Sequence, residues 1–466
     1  MGDKYQTNPS HLTQLPKEHV DWFIRPVTRF IKFETAAGAT LFLATIIALL
    51  FANSDLSTSY SQFWQASIGI SFKDMELKRS LHEWINDGAM TIFFFLVALE
   101  LKRELVLGEL RNPKLAMFSI SAALGGMLIP GSIYFLLQYG RPELHGWGTV
   151  MSTDTAFVIG CLALLGHSIP KALRVFMLSL AVVDDIGAIL VVAIGYGEGI
   201  DWLAVGVALT GLIAVKMMSF IGVRSFTLFF IAGGLIWLAV DMSGIHPTIT
   251  GVALGLMTPT TKWVDDERLH RIMQCVMNFP LEERKSGDTP DRRALKTAEA
   301  AAREALSPVE RLEILLHPWV GFVVMPLFAL ANAGIVLKSA NFMSSLTLTV
   351  LVCFVIGKPL GIMLLSWVAV KIRLAKLPDG LGWNMVCGGS MLAGIGFTMA
   401  LFIADLAYSA AQVNSAKLGI LLASVISALL GCVVLKYISM ANAKKVSPVQ
   451  SNVSSTLIND KKPLSK

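Results

Sequence analysis

Two adjacent aspartates, Asp184 and Asp185, lie in the middle of a hydrophobic run from Phe176 to Ile194 that carries no other charge. A helix of this length can cross the ~30 Å hydrocarbon core of a bilayer. On the membrane-insertion scale an aspartate at the centre of a bilayer costs about 2.5–3.5 kcal/mol, and such residues usually mark an ion path, a proton relay or a water-filled site. Their position predicts a function in handling ions or protons.

Three further features of the apolar runs could contribute to such a site. Lys358 lies deep in its run, where it is either a fixed counter-charge for an aspartate or a group that titrates itself. Thr153 and Asp154 belong to a polar cluster of the kind that can accompany a break in a helix. The glycines between Gly388 and Gly396 allow either an unwound segment or close helix packing.

The composition is that of a helical membrane protein. Of the 466 residues, 54% are hydrophobic and 15% are charged, whereas a typical soluble domain has about 25% charged residues. The formal net charge of +6 comes from basic residues in loops between apolar runs, so it indicates membrane topology and not a nucleic-acid partner. The five cysteines lack the spacing of a metal site, and we expect no cofactor.

The apolar runs predict twelve spans with both termini on the same side of the bilayer. They lie roughly at 36–52, 85–100, 115–138, 149–166, 172–195, 202–220, 225–241, 246–261, 318–337, 346–370, 383–407 and 413–436. With the amino terminus inside, the inner segments contain 32 Lys and Arg residues and the outer segments contain 6. The inner count is 22 when the long loop before the ninth span is left out. Because inner loops carry the excess of basic residues, both termini are predicted to be cytoplasmic.

The chain divides into a transmembrane domain, residues 33–440, and polar segments around it. Residues 1–32 predict a cytoplasmic tail followed by a helix on the membrane surface. Residues 67–79 alternate in character and predict a small extracytoplasmic β-hairpin. Because two isolated strands are only marginally stable, we expect this hairpin to pair with a second copy of the protein. Residues 262–312 form a long cytoplasmic loop, and 441–466 predict a disordered cytoplasmic tail.

The order of motifs along residues 20–440 resembles the NhaA family of sodium/proton antiporters. The motifs that carry the resemblance are Trp84–Gly88, Glu100–Glu104, Ser152–Phe157, Val183–Ala188, Leu316–Trp319, Ala331–Gly334, Gly357–Gly361 and Gly394–Met399. The resemblance implies an all-α fold of twelve transmembrane helices with inverted repeats. It also implies that the fourth and eleventh helices are broken and cross near the middle of the membrane.

The function implied by the resemblance is secondary transport and not enzymatic catalysis. Such a protein exchanges Na⁺, and Li⁺, for H⁺ across the bacterial inner membrane by alternating access. The exchange is electrogenic, with two protons for each sodium ion, and is regulated by pH. It would serve sodium extrusion, salt tolerance and pH homeostasis.

By the same resemblance, Asp185 is the principal ion ligand and proton carrier, and Asp184 is its partner, able to pair with Lys358. Thr153 and Asp154 would lie at the helix break. Adjacent residues on a helix point about 100° apart, so the two aspartates of the pair cannot face one target equally. Carboxylate and hydroxyl oxygens suit Na⁺. Because burial favours the protonated carboxyl, H⁺ and Na⁺ can compete for the same oxygens.

Residues near the ends of the spans suggest regulation by pH. The resemblance implies a cytoplasmic pH-responsive cluster of Glu100, Arg103, Glu104 and Glu313, although ordinary ion pairs at an interface explain the same residues. His246 could tune the response, because a histidine ordinarily titrates near pH ~6.5, or it is a plain interfacial residue.

The sequence disfavours some other functions of membrane proteins and departs from the family at two places. An intramembrane aspartyl protease needs aspartates on different helices and a GxGD motif, which the sequence lacks. A haem-bearing oxidoreductase needs histidines within the spans. The remaining alternative is a cation-coupled carrier of an organic substrate on the same fold, which a large polar cavity in mid-membrane would favour. The sequence departs from the family in the long 262–312 loop and at Ile314, where related proteins can have histidine.

Overall fold

The computed structural model describes residues 33–72, 75–108, 111–196, 199–223, 225–277, 290–337 and 342–458. The surface helix expected within 1–32 lies outside these residues, as does the end of the carboxyl-terminal tail. Within the described residues the chain is almost entirely helical and contains one two-stranded sheet.

The elements follow one another along the chain without a second sheet in the described part. The first are α1 (Phe33–Ala52), α2 (Ser57–Gln65), β1 (Ser67–Phe72), β2 (Met75–Ser80), α3 (Leu81–Val106), α4 (Pro113–Leu137), α5 (Thr155–Leu164), α6 (Lys171–Gly195) and α7 (Trp202–Ile221). The rest are α8 (Phe226–Met242), α9 (Ile249–Met257), α10 (Asp266–Met277), α11 (Pro290–Glu304), α12 (Pro308–Asn332), α13 (Ser345–Lys371), α14 (Trp383–Ala393), α15 (Phe397–Ala407) and α16 (Val413–Ile458).

Polar residues fix the starts of several helices. Asn112 accepts a hydrogen bond from the Lys114 N–H at the start of α4. Ser80 and Glu83 form a capping box that begins α3 directly after β2. Side chains of this type satisfy N–H groups that have no partner within the helix. The apolar runs of the sequence therefore form helices with defined ends.

Seven helices in the described residues are long and apolar enough to cross a membrane. Up to ten spans result if each of three bent helix pairs is one span. This count does not establish the twelve spans that the sequence predicts, because α8 has only 17 residues and α9 only 9. At 1.5 Å per residue, a helix of nine residues is about 14 Å long, which is shorter than the hydrocarbon core.

Two of the bent pairs are the elements that meet in the middle of the molecule. The 3₁₀ helix Pro142–Val150 meets α5 at 45°, and α14 meets α15 at 44°. The N–H of Asp154, in the first break, donates to the carbonyl of Ile395, in the second, over 2.6 Å. The two breaks therefore touch through their backbones.

Glycines serve both purposes that the sequence leaves open. Gly394 and Gly396 flank the break between α14 and α15. A Cβ atom at Gly394 would lie 2.7 Å from the Phe354 carbonyl oxygen, so only glycine fits there. Gly388 and Gly389 lie within α14, where a Cβ at Gly389 would be 2.9 Å from the sulfur of Met177. Gly394 and Gly396 permit the break, and Gly388 and Gly389 permit close helix packing.

The helices pack as two bundles. In one, which we call the α3 bundle, α3 packs on α9 and α12, α12 on α1, and α7 on α8. In the other, the α4 bundle, α4 packs on α13 and α6, while α16 packs on α13, α14 and α15. The bundles touch where α3 meets α6, where α15 meets the end of α12, and where α1 meets α5. The functional residues lie close to this boundary.

The strands β1 and β2 are antiparallel, with Ser67 opposite Ser80 and Phe72 opposite Met75. Residues 73–74 between them lie outside the described part. Because α3 begins directly after β2, the strands mark one end of the bundles, which we call the hairpin end.

Two polar segments outside the expected spans contain helix. Within the 262–312 loop, α10 and α11 pack against each other, and residues 278–289 between them are not described. At the carboxyl terminus, α16 continues to Ile458, whereas we expected disorder from residue 441 onwards.

Candidate functional site

The two adjacent aspartates of α6 have different surroundings. Both are buried, with exposures of 0% for Asp184 and 3% for Asp185. One oxygen of Asp184, Oδ2, accepts a hydrogen bond from the Thr153 hydroxyl over 2.6 Å and lies 3.3 Å from Nζ of Lys358. The Oδ1 atom of Asp185 is buried and accepts no hydrogen bond from the described residues. Asp184 is thus held in an ion pair, while Asp185 has spare capacity to bind a cation or a proton.

Lys358 is fully buried at the start of the regular part of α13. A π-helical turn, Cys353–Gly357, precedes it, and Pro359 follows it. Proline lacks an N–H group and interrupts the regular helix pattern here. Nζ of Lys358 donates to the carbonyl oxygen of Met151 over 2.7 Å. Because Met151 ends the 3₁₀ helix, the ammonium group meets the negative end of a helix as well as Asp184.

Asp154 binds the amino-terminal ends of α5 and α15, which are the second halves of the two broken helices. Its Oδ1 accepts the N–H of Phe157 over 3.2 Å and so caps α5. Its Oδ2 accepts the N–H of Thr398 over 2.9 Å and the hydroxyl of the same residue over 2.6 Å. Both N–H donors lie in the first turns of helices, where the partial charge is positive. One carboxylate therefore balances two helix ends.

Thr153 joins the two breaks to the aspartate pair. Its hydroxyl oxygen lies 2.6 Å from Oδ2 of Asp184 and 3.2 Å from the carbonyl oxygen of Ala393, the last residue of α14. A hydroxyl has a single proton to donate, so these acceptors share it or alternate. Movement of either break would therefore change the hydrogen bonding of Asp184.

The charges of the site leave one carboxylate uncompensated. The helix ends balance Asp154, and Lys358 balances Asp184. Asp185 remains, and the charged groups that act on it are Asp184, Glu100, Asp154 and Lys358. Buried polar atoms normally have partners, whereas Oδ1 of Asp185 and Oδ1 of Asp184 have none among the described residues.

The residues expected to respond to pH lie near the end opposite the hairpin end, with one exception. Arg103 forms ion pairs with Glu313 and, over 3.3 Å, with Glu104. Glu313 is 8% exposed, and its Oε2 has no hydrogen-bond partner among the described residues. Glu100 lies one turn away on the same helix and acts on Asp185. The structure thus brings this cluster together and places one member within electrostatic reach of the site.

His246 is the exception, because it lies at the hairpin end in the loop between α8 and α9. Its Nδ1 is 2.8 Å from the Thr248 hydroxyl, and its Nε2 is 3.6 Å from Oδ1 of Asp87. Burial, and to a lesser extent the positive charge of Arg79, lower the pKa of His246 to about 4. The imidazole is therefore neutral near pH 7, because it takes up a proton only at a much lower pH.

Reasoning from sequence missed several atoms of this site. Thr398 is the most important, and its hydroxyl-bearing side chain two residues after Gly396 was the available signal. The carbonyl groups of Met151, Ala393 and Ile395 also contribute, but backbone atoms leave no mark in the residue types. They become available only because both helices break at the point where they cross.

The chain is similar to known proteins over most of its length. The family model described as Na⁺/H⁺ antiporter 1 matches residues 28–435. The Na(+)/H(+) antiporter NhaA 2 of Vibrio vulnificus (strain CMCP6) is 62% identical over 435 residues, which cover 93% of this chain and 97% of the relative. The Na(+)/H(+) antiporter NhaA of Rhizobium meliloti (strain 1021) is 53% identical over 433 residues, covering 93% and 99%.

A solved structure is also similar to this fold. It is that of the sodium proton antiporter MjNhaP1 from Methanocaldococcus jannaschii at pH 8, with a TM-score of 0.51 and 11% sequence identity. The match covers 86% of this chain and 91% of the other. At this level of identity the similarity concerns the fold alone.

Proposed function

The chain belongs to the Na⁺/H⁺ antiporter 1 family, and we propose that it exchanges Na⁺ for H⁺ across a membrane at the Asp184–Asp185 site. The observation that carries the proposal is the difference between the two carboxylates. Asp184 is already paired with Lys358, whereas the buried Oδ1 of Asp185 has no partner among the described residues. Asp185 is the position where a cation or a proton completes the site.

Competition between the two ions provides the coupling. When Asp185 is ionised, its oxygens, the second oxygen of Asp184 and the Thr153 hydroxyl offer hard oxygen ligands to Na⁺. When Asp185 is protonated, its own oxygens are neutral and bind Na⁺ poorly. A site that opens alternately to each side and holds one load at a time exchanges the two ions. Li⁺ suits the same oxygen ligands.

Lys358 is the second titrating group in this proposal. One carboxylate carries one proton, so electrogenic exchange of two protons for one sodium ion needs another carrier. The Lys358 ammonium, with Asp184 at 3.3 Å, is placed to release its proton when Na⁺ occupies the neighbouring aspartates. A lysine that is fully buried changes its charge more readily than one in water.

The orientation in the membrane follows from the basic residues. The protein lies in the bacterial inner membrane with both termini in the cytoplasm and the hairpin end outside. We include in this proposal the twelve spans, the inverted repeats centred on the two broken helices, and a homodimer joined through β1 and β2. Regulation by pH belongs to Glu100, Arg103, Glu104 and Glu313 on the cytoplasmic side.

The alternative of an organic substrate is disfavoured by the position of a cleft among the described residues. A cleft of about 320 Å³ lies between α3, α7, α8, α9 and α12. It is lined mainly by apolar side chains, and none of Asp154, Asp184, Asp185 and Lys358 lines it. A carrier of an organic solute would need its cavity next to the charged groups that couple transport.

Everted membrane vesicles test the proposed function. Cells that lack their own sodium exchange produce this protein, respiration acidifies the vesicle interior, and a fluorescent probe follows the proton gradient. Addition of NaCl or LiCl should dissipate the gradient, and KCl should leave it in place. If none of these salts dissipates the gradient while an organic solute does, the protein is a carrier of the alternative kind.

A further inference from the structure

One face of α15 leads from the ion site to the hairpin end. Thr398, Phe402 and Asp405 follow one another at spacings of four and three residues, which places them on the same side of a helix. Thr398 contacts Asp154 in the site. The other two side chains make contacts of their own nearer the hairpin end. Motion of this half-helix would thus affect the site and both outer contacts together.

Phe402 is part of a buried aromatic plug. Its ring centroid lies 5.6 Å from that of Phe94 and 6.4 Å from that of Phe328, and all three side chains are almost completely buried. Phe94 belongs to α3 and Phe328 to α12, so two members come from the α3 bundle and one from the α4 bundle. The plug therefore closes the boundary between the bundles one turn beyond Thr398.

A polar cluster lies beyond the plug, at the hairpin end. Oδ1 of Asp405 is 2.6 Å from Nζ of Lys417, at the start of α16. Oδ2 of Asp405 is buried, lies 3.7 Å from Nε2 of His82 in α3, and has no hydrogen bond within the described residues. The same Nε2 is 2.9 Å from the amide oxygen of Asn332, which accepts its hydrogen. His82 thus reaches from the α3 bundle towards the carboxylate of the α4 bundle.

We propose that this end of α15 is the outer gate of the transporter, with Phe402 as its seal and the His82–Asp405 contact as a lock that a proton from outside closes. The inference rests on the proposed function, since a gate needs a site that opens alternately. Protonated His82 attracts Asp405 across the boundary of the two bundles, and neutral His82 does not. Histidine is the side chain best suited to make this change between pH 5 and 8.

The charges around the lock are consistent with this role. Among the side chains on elements packed against His82, Asp405 lies next to the imidazole and Asn332 is neutral. Lys417 pairs with the other carboxylate oxygen of Asp405. On its own segment, Glu83 caps Ser80, and Arg79 is engaged with Asp87 and Asp241. Lys417 holds one oxygen of the carboxylate in either state, and protonation of His82 adds a positive charge to the imidazole, whose Nε2 lies 3.7 Å from the other oxygen.

The first test measures exchange as a function of external pH. Right-side-out vesicles are loaded with ²²Na⁺ and diluted into medium with saturating unlabelled Na⁺, so that sodium–sodium exchange is measured, and the wild type and each variant are compared under the same pH difference. External pH is lowered from 8 to 5.5 at constant internal pH. We expect acid to slow the wild type at least about fivefold relative to His82→Gln, because glutamine keeps a donor for Asn332 but cannot become charged. At pH 8 the wild type and His82→Gln should exchange sodium at equal rates. His145→Gln, at an exposed histidine after α4, serves as the matched control and should behave like the wild type.

The second test does not require transport. Hydrogen–deuterium exchange of the segment Phe397–Ala407 in purified protein should be slower in the wild type than in His82→Gln at pH 5.5, and the same in both at pH 8. Equal hydrogen–deuterium exchange of this segment in the two proteins at pH 5.5, or equal acid inhibition of their sodium flux, would contradict the proposed lock. If the wild type carries no sodium at any pH, the proposed function fails, and the deuterium experiment still decides whether the lock exists.

Discussion

Thr398 donates both its backbone N–H and its hydroxyl to one oxygen of Asp154, at 2.9 and 2.6 Å. The two residues lie in different broken helices, so this contact ties the breaks together where they cross. The other oxygen of Asp154 caps the helix that follows it. The carboxylate of Asp154 thus accepts a hydrogen bond at both of its oxygens, which separates its role from that of Asp185.

Asp154→Asn should destabilise the protein, because an amide nitrogen would face an N–H donor in place of an accepting oxygen. Leaving one buried donor without a partner costs about 1–3 kcal/mol, and more when a charge is lost. Thr398→Val removes the hydroxyl but keeps the N–H, and should cost about 1 kcal/mol. Thermal unfolding of detergent-solubilised protein measures both changes. Equal unfolding temperatures for Asp154→Asn and the wild type would contradict the capping role.

Asp185→Asn should abolish exchange while leaving the fold intact. Its unpartnered oxygen contributes no hydrogen bond in the described structure, and removal of a buried charge relieves a desolvation cost. We expect no sodium-dependent loss of the proton gradient in everted vesicles and an unfolding temperature at or above that of the wild type. Asp185→Glu, which keeps a carboxylate, is the control and should retain some exchange. Persisting exchange in Asp185→Asn would refute the assignment.

Lys358→Met should destabilise the protein by about 3–5 kcal/mol, because it leaves Asp184 buried without its counter-charge. The double variant Asp184→Asn/Lys358→Met should recover much of that loss, which unfolding in detergent can follow. Transport currents on a solid-supported membrane test the second role of the lysine. If Lys358 carries a proton, sodium-driven current in the single variant should fall or vanish. Unchanged current would make the residue purely structural.

Arg103→Gln should shift the pH dependence of exchange. The substitution leaves Glu313, which is 8% exposed, without its cation, and it changes the charge balance at the inner end of the helix that carries Glu100. The measurement is the exchange rate from pH 6 to 9 in everted vesicles. Arg271→Gln, in an exposed pair with Glu267, is the matched control and should leave the profile in place. The same profile in both variants would reduce the cluster to ordinary ion pairing.

His246→Gln should not alter the transport profile between pH 6 and 8, because the histidine, whose pKa is about 4, stays neutral in that range. Its effect should appear in stability at acid pH. Between about pH 6.5 and pH 4 the unfolded state binds a proton at this position and the folded state does not, so the unfolding free energy of the wild type falls as pH decreases. The variant should lose less stability between pH 7 and pH 5. A shift of its transport profile near pH 6.5 would count against this assignment.

Much of the proposed ion site could be predicted from the sequence, because charged residues within apolar runs have few structural uses. Asp184, Asp185 and Lys358 were recognisable from their surroundings alone, and the structure brings them within reach of one another. The 100° rule predicted that the aspartates differ, but not which one pairs with the lysine. That choice depends on the position of α13, which no local pattern determines.

Other features were beyond the sequence because they depend on contacts between distant segments. Asp154 was expected near a helix end, but its use of both oxygens on two helices requires the breaks to cross. For His246 the sequence left a titrating and a plain interfacial histidine open, and the choice required its burial and the charge of Arg79.

Binding of Na⁺ to the purified protein as a function of pH tests the central claim most directly. If Na⁺ and H⁺ compete for the oxygens of Asp185, calorimetry should show affinity for Na⁺ falling as pH decreases, about tenfold per pH unit for each proton displaced. Proton release on addition of Na⁺ should accompany binding and disappear in Asp185→Asn. An affinity for Na⁺ that stays constant from pH 6 to 9, without release of protons, would contradict the account.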